Sequence, residues 1–196
     1  MSYPEFQAML ALLARVVLDA RTGGLMLLLV IAAVCDYRTH RIPNRLVLSG
    51  VVFGLIYTTV VPPMVHGTVL FPLSGLLVGL LLFLPLYILR AMGAGDVKLL
   101  AMIGTFLGPV ETLYAALASM IVGGFLSVLW VLARGRMLLM LQNLAAFLQV
   151  GLLGALSGSP SGLRIAPEAS AGKLPYGIAI AIGTIGYLFL HQLGLL

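Results

Sequence analysis

The chain is a succession of long apolar runs, cut at short intervals by Pro, Gly and Arg, and that pattern leaves few folds open to it. An apolar run of about 20 residues spans the hydrocarbon of a bilayer as a helix. Backbone placed in lipid must satisfy its own hydrogen bonds, which helices do within one segment. With 61% hydrophobic and only 9% charged residues, the composition excludes an ordinary soluble domain. The expected class is an all-α integral membrane protein: a bundle of about six transmembrane helices plus interfacial helices, forming one domain over residues 1–196. The net charge of +5 comes from Arg and Lys set in short loops. There it orients the spans by the positive-inside rule and implies no nucleic-acid partner. Cys35 is the single cysteine, which rules out a disulfide framework and paired CxxC zinc sites. The opening MSYPEFQ lacks a basic region, so no cleavable signal peptide is expected.

In chain order, residues 1–22 read as an amphipathic segment lying against the membrane, with Arg15 and Asp19 four apart on one helical face and able to pair. Arg21-Thr22-Gly23-Gly24 is expected to break it. A first span then runs over 25–35 and ends at Asp36; it is short, so either its helix starts inside the glycine pair or Asp36 lies below the surface. The basic stretch Arg38, His40, Arg41 and Arg45 encloses Ile42-Pro43-Asn44. Proline stops helix continuation, so this is a loop, and its charge places it in the cytoplasm. Further spans are expected over 46–61, 69–89, from 92 to Gly108-Pro109, over 110–133, and from Pro175-Tyr176-Gly177 to about residue 190. The run 137–156 is long enough to cross, but Gln142, Asn143 and Gln149 form a polar edge that suits an interfacial helix. Keeping it on the inner surface also leaves Arg164 and Lys173 cytoplasmic with the other basic residues. The Ser-, Gly- and Pro-rich 157–174 reads as a cytoplasmic loop.

The stretch RAMGAGDVKLL, residues 90–100, puts Asp96 after two glycines and ahead of an apolar run. Asp96 has two readings. It caps the following helix, as Asp does well, or it is a functional acid, the default for an ionisable group at the edge of lipid. Gly93 and Gly95 would let another stretch of backbone approach closely. Of the three aspartates, Asp19 has its arginine neighbour and reads as structural. Between Asp36 and Asp96 lie two complete crossings, so the topology returns both to the same face at similar depth. Two carboxylates held close cannot both ionise and come to share a proton. One then draws a proton from water while the other donates to a carbonyl oxygen. That is aspartic-protease chemistry. Paired acids also serve proton relays in transporters, and they serve divalent metals where more ligands are at hand.

Asp36-Tyr37-Arg38 followed by Ile42-Pro43-Asn44, with Gly93-Ala94-Gly95-Asp96-Val97-Lys98 further on, resembles the prepilin leader peptidases. These are membrane aspartic proteases of the GxGD type. Pro175-Tyr176-Gly177 also looks like that family. The resemblance implies Asp36 and Asp96 as the catalytic pair. Gly93 and Gly95 would stand beside the second acid, Arg38, Pro43 and Asn44 would shape the loop after the first, and Lys98 would occupy a family position of undefined role, an interfacial snorkelling lysine being its plain reading. It implies a prepilin or pseudopilin as substrate, the lipid bilayer as surroundings, and the bacterial inner membrane as location, with the active site facing the cytoplasm. No metal and no organic cofactor are implied. Larger members carry a cytoplasmic segment with two CxxC pairs and a methyltransferase activity. Here the loop from Arg38 to Arg45 is minimal, which resembles the short, peptidase-only form of tight-adherence (Flp-type) pilus systems.

A proton-coupled transporter would use the same acids, but many transporters carry inverted repeats with interrupted helices near mid-membrane, and no repeat is visible here. His40 reads as a solvated loop residue beside Asp36, and His66 and His191 fall on the outer side.

Overall fold

A computed structural model describes residues 19–61, 69–89, 92–135 and 175–194, with isolated positions 137, 138, 142 and 145. Among the described residues there are six helices and no strand: α1 (Ala20–Thr39), α2 (Asn44–Val60), α3 (Leu70–Ile88), α4 (Ala94–Leu107), α5 (Pro109–Ala133) and α6 (Tyr176–Gln192). Three of them, α1, α3 and α5, are long and apolar enough to cross a membrane. The apolar α2 and α6 have 17 residues each. The 14 residues of α4 span about 21 Å at 1.5 Å per residue, short of the roughly 30 Å of hydrocarbon.

The first helix begins earlier than the sequence suggests. Arg21-Thr22-Gly23-Gly24, expected as a break, forms the opening turn of α1. Two interactions outweigh the low helix propensity of the glycine pair. Asp19 caps the turn, accepting from the Arg21 amide at 3.5 Å and the Thr22 hydroxyl at 3.3 Å. The Arg21 guanidinium donates through Nε to the Phe106 carbonyl at 2.6 Å, and through Nη2 to the same oxygen. Residues 20–22 thus belong to α1. At its other end α1 runs past Asp36 to Thr39 and stops where His40 turns left-handed at φ 49°.

The core is built around α4. From Asp96 to Leu107 every residue but Lys98 is buried, as expected of a helix apolar on all sides. It packs against α1, α2, α3 and α6, most extensively α3. Gly75 and Gly79 of α3 face Gly104 and the Leu100 carbonyl of α4 so closely that a Cβ at any of the three glycines would strike backbone. This small-xxx-small stripe lets the two helices touch main chain to main chain. At its C-terminus α4 has carbonyls with no partner in its own helix. Neighbours supply donors: the Thr58 hydroxyl of α2 reaches the Thr105 carbonyl at 3.1 Å, and Arg21 of α1 takes that of Phe106. The first part of α5 meets α6 through the Ser119 hydroxyl, which donates to the Ile180 carbonyl at 3.4 Å, and through stacked Tyr114 and Tyr187 rings 5.9 Å apart.

The chain divides into two compact units, residues 1–123 with 175–196, and residues 124–174. In the second, the Arg134 guanidinium lies 4.3 Å from the centre of the Trp130 ring. The amphipathic reading of residues before Asp19, with Arg15, lies outside the described residues, as do His66, Arg90, most of 137–156 and the loop 157–174.

Candidate active site

Asp36 stands in the last turn of α1 and is only 6% exposed. Its Oδ2 accepts a hydrogen bond from the Gly177 amide, 2.7 Å away and 141 residues further along the chain. Gly177 is the second residue of α6, where an amide has no partner within its own helix. The N-cap, Pro175, makes no side-chain cap of its own. A carboxylate from α1 therefore caps α6, and the positive end of that helix suits its charge.

Asp96 is the third residue of α4 and is 8% exposed. Its Oδ2 accepts from the Gly93 amide at 3.1 Å. This is the return half of a capping box, in which the acid three residues in reaches back to the N-cap. Gly93, not Asp96, is the N-cap. The capping and functional readings of Asp96 are compatible, since the cap occupies one of its two oxygens.

The two carboxylates lie within electrostatic reach of each other. His40 is within similar reach of Asp36, and the Tyr176 hydroxyl of Asp96. Tyr176, half-buried, opens α6 with its ring against Gly123 of α5, where a Cβ would come within 2.6 Å of it. The first turn of α6 thus binds one acid through the Gly177 amide and holds the Tyr176 hydroxyl within electrostatic reach of the other.

The remaining motif residues fall into two groups. Pro43 is the N-cap of α2, held extended at φ −62°, and its carbonyl takes the amides of Leu46 and Val47. Asn44 opens α2 and accepts from the Lys98 ammonium at 3.0 Å, so this lysine ties the loop after the first acid to the helix of the second. Gly95 does not present open backbone to another peptide: Ile42 of the loop already covers it, 3.4 Å from where a Cβ would stand. Gly93 is exposed. Arg38 is exposed in the last turn of α1, where a cation suits the helix C-terminus, and no hydrogen bond or ion pair among the described residues ties it to the acids. His191 closes α6 at the other end, against the Tyr187 ring.

Sequence reasoning gave no role to Ile42 or Arg21. The signal for Ile42 was an apolar residue within a basic loop, and it is buried in the core. For Arg21 it was a lone arginine ahead of a glycine pair. Among the described residues no three His, Cys, Asp or Glu side chains cluster as a metal site would require.

The described residues are all-helical, and the three helices long and apolar enough to cross a bilayer give the chain the character of a membrane protein. Residues 24–128 match the model of the type IV leader peptidase family, and with more than half of the sequence matched the chain belongs to that family. It is therefore a peptidase. The matched stretch holds both Asp36 and Asp96 and ends before Pro175-Tyr176-Gly177. Neither a curated protein nor a solved structure matches the chain.

Proposed function

We propose that this protein is a membrane-embedded aspartic endopeptidase that removes the basic N-terminal leader of a type IV or Flp-type prepilin at the cytoplasmic face of the inner membrane. What supports this reading is that two carboxylates from separate helices, Asp36 and Asp96, are both buried and lie within electrostatic reach of each other. Each has one oxygen engaged by a glycine amide, which leaves the other for chemistry. In this reading all six described helices lie in the membrane. The basic loop between α1 and α2 faces the cytoplasm, and the short α4 is sheltered from lipid by its neighbours.

One carboxylate, ionised, takes a proton from a water molecule as that water adds to the scissile carbonyl. The other, protonated, donates to the carbonyl oxygen as it becomes tetrahedral. Collapse of that intermediate breaks the C–N bond: the amine leaves with the proton held by the first acid, and the second acid takes back its proton from the diol as the carbonyl reforms. Both roles demand a pair that carries one proton between two carboxylates, which follows from like charges held close. The substrate segment must be unwound at the cut, since a helix engages its carbonyls internally. A prepilin joins a basic leader to an apolar segment, so in the same bilayer it presents its scissile bond at the inner interface. No metal or organic cofactor enters this scheme.

The test is cleavage of a prepilin bearing its leader by the purified protein in detergent, read by mass spectrometry. Asp36→Asn and Asp96→Asn should each abolish leader removal while the protein remains folded. Cleavage by either variant at near the native rate would overturn the assignment.

A further inference from the structure

We infer that Gly177 is a positioning residue for Asp36: its amide fixes the carboxylate, and its lack of a side chain leaves the space that the carboxylate occupies. The inference deepens the aspartic-peptidase reading and rests on it. Its ground is geometric. The Gly177 amide donates to Asp36 Oδ2 at 2.7 Å in a buried setting. A Cβ built at 177 would stand 2.8 Å from that same oxygen and 3.1 Å from both Cβ and Cγ of Asp36. Carbon–carbon contacts normally begin near 3.5 Å, so any side chain at 177 crowds Oδ2, Cγ and Cβ of Asp36 together rather than one atom. The Asp36 main chain is held, its carbonyl taking the His40 amide at 2.8 Å, so the side chain can give way only by rotating off the Gly177 amide.

The first turn of α6 is itself held. Tyr176 packs against Gly123 of α5, and Pro175 fixes the entry to the helix with φ at −70°. The turn behaves as a seat, with Pro175 and Tyr176 setting its place and Gly177 receiving the acid. The corresponding glycine at Asp96 is more tolerant. A Cβ at Gly93 would stand 3.3 Å from Asp96 Oδ2, with only the Gly95 amide, at 4.0 Å, as another neighbour. The two glycines that serve the two acids are therefore unequal, and substitution at 177 has the larger effect.

The experiment uses the full chain in detergent and a prepilin substrate at varied concentration. A misplacement on the order of 1 Å at a reacting group costs about 100-fold in rate, so Gly177→Ala should lower kcat about 100-fold with KM unchanged. Gly93→Ala should lower it by less. Gly186→Ala, on the same helix with open space at its Cβ, should leave both constants at native values. A structural measurement stands beside the kinetics. Most of the thermal destabilisation caused by Gly177→Ala should disappear when Asp36 is already alanine, because two of the three nearest atoms, Oδ2 and Cγ, are then gone. A Gly177→Ala protein with native kcat, or one whose destabilisation is the same with and without the Asp36 carboxylate, would overturn the inference. If Gly177→Ala does not fold, recovery of folding in Asp36→Ala/Gly177→Ala supports the contact and failure to recover refutes it. Cleavage by Asp36→Asn would overturn the peptidase reading itself. An inactive Asp36→Asn beside a fully active Gly177→Ala would overturn the positioning role alone.

Discussion

Gly75→Ala adds one methyl group at the most extensive helix contact among the described residues, and the structure fixes what that methyl meets. It would fall on the Gly104 carbonyl oxygen, and 2.8 Å from both the Gly104 carbonyl carbon and the Gly108 Cα. All three are backbone atoms, so no rotamer change relieves the overlap, and α3 and α4 must separate by about 1 Å to restore ordinary contact distances. A gap of that size forfeits a quarter to a half of the dispersion energy of each atom pair across the interface. Overpacking of this kind costs about 1–3 kcal/mol, while replacing a helical glycine with alanine returns at most about 1 kcal/mol. The net expectation is a loss of about 1–2 kcal/mol. Gly186→Ala supplies the reference, because it receives the propensity gain and, among the described residues, has nothing within 4 Å of its Cβ. Unfolding in mixed micelles along an SDS titration, read by pulse proteolysis, measures both variants on one scale. Gly75→Ala at or above native stability, or level with Gly186→Ala, would refute the claim that these helices meet backbone to backbone.

Two further predictions concern residues that tie distant parts of the chain together. Arg21→Met should destabilise the protein by about 1–3 kcal/mol in the same titration, the cost of leaving a carbonyl at a buried helix end without its donor; Arg21→Lys should recover part of it. Lys98→Met and Asn44→Ala should each cost about 1 kcal/mol or less, as expected of a single exposed contact. The double variant should cost no more than either, since both remove the same hydrogen bond.

Much of the helical framework is legible in the sequence because its punctuation is local. Pro43 marks the entry to α2, Gly108-Pro109 separates α4 from α5, and Pro175 precedes α6, each within a residue or two of the observed bounds. The start of α1 was legible only in part: the shortness of the 25–35 run points into the glycine pair but not back to Ala20. Arg21-Thr22-Gly23-Gly24 looks like a break by propensity, and its helical state depends on a carbonyl 85 residues away. The placement of the acids divides in the same way. That Asp36 and Asp96 stand at helix ends follows from the apolar runs beside them. That one is bound by Gly177 and the other by Gly93 does not, because the first link spans 141 residues and carries no pattern in the chain. Lys98 shows the limit from the other side: its motif position stood out, yet its partner Asn44 could be found only from the packing of α2 on α4.

The measurement closest to the central claim is the cleavage rate of three proteins, Asp36→Asn, Asp96→Asn and the variant carrying both changes, against one prepilin. General acid–base groups contribute about 100- to 10,000-fold each, but groups that act as one unit lose nearly everything at the first removal. The account predicts that each single variant is inactive and the double variant no slower than either. Losses that multiply, or one single variant that still cleaves, would contradict the idea that the two acids work on a shared proton.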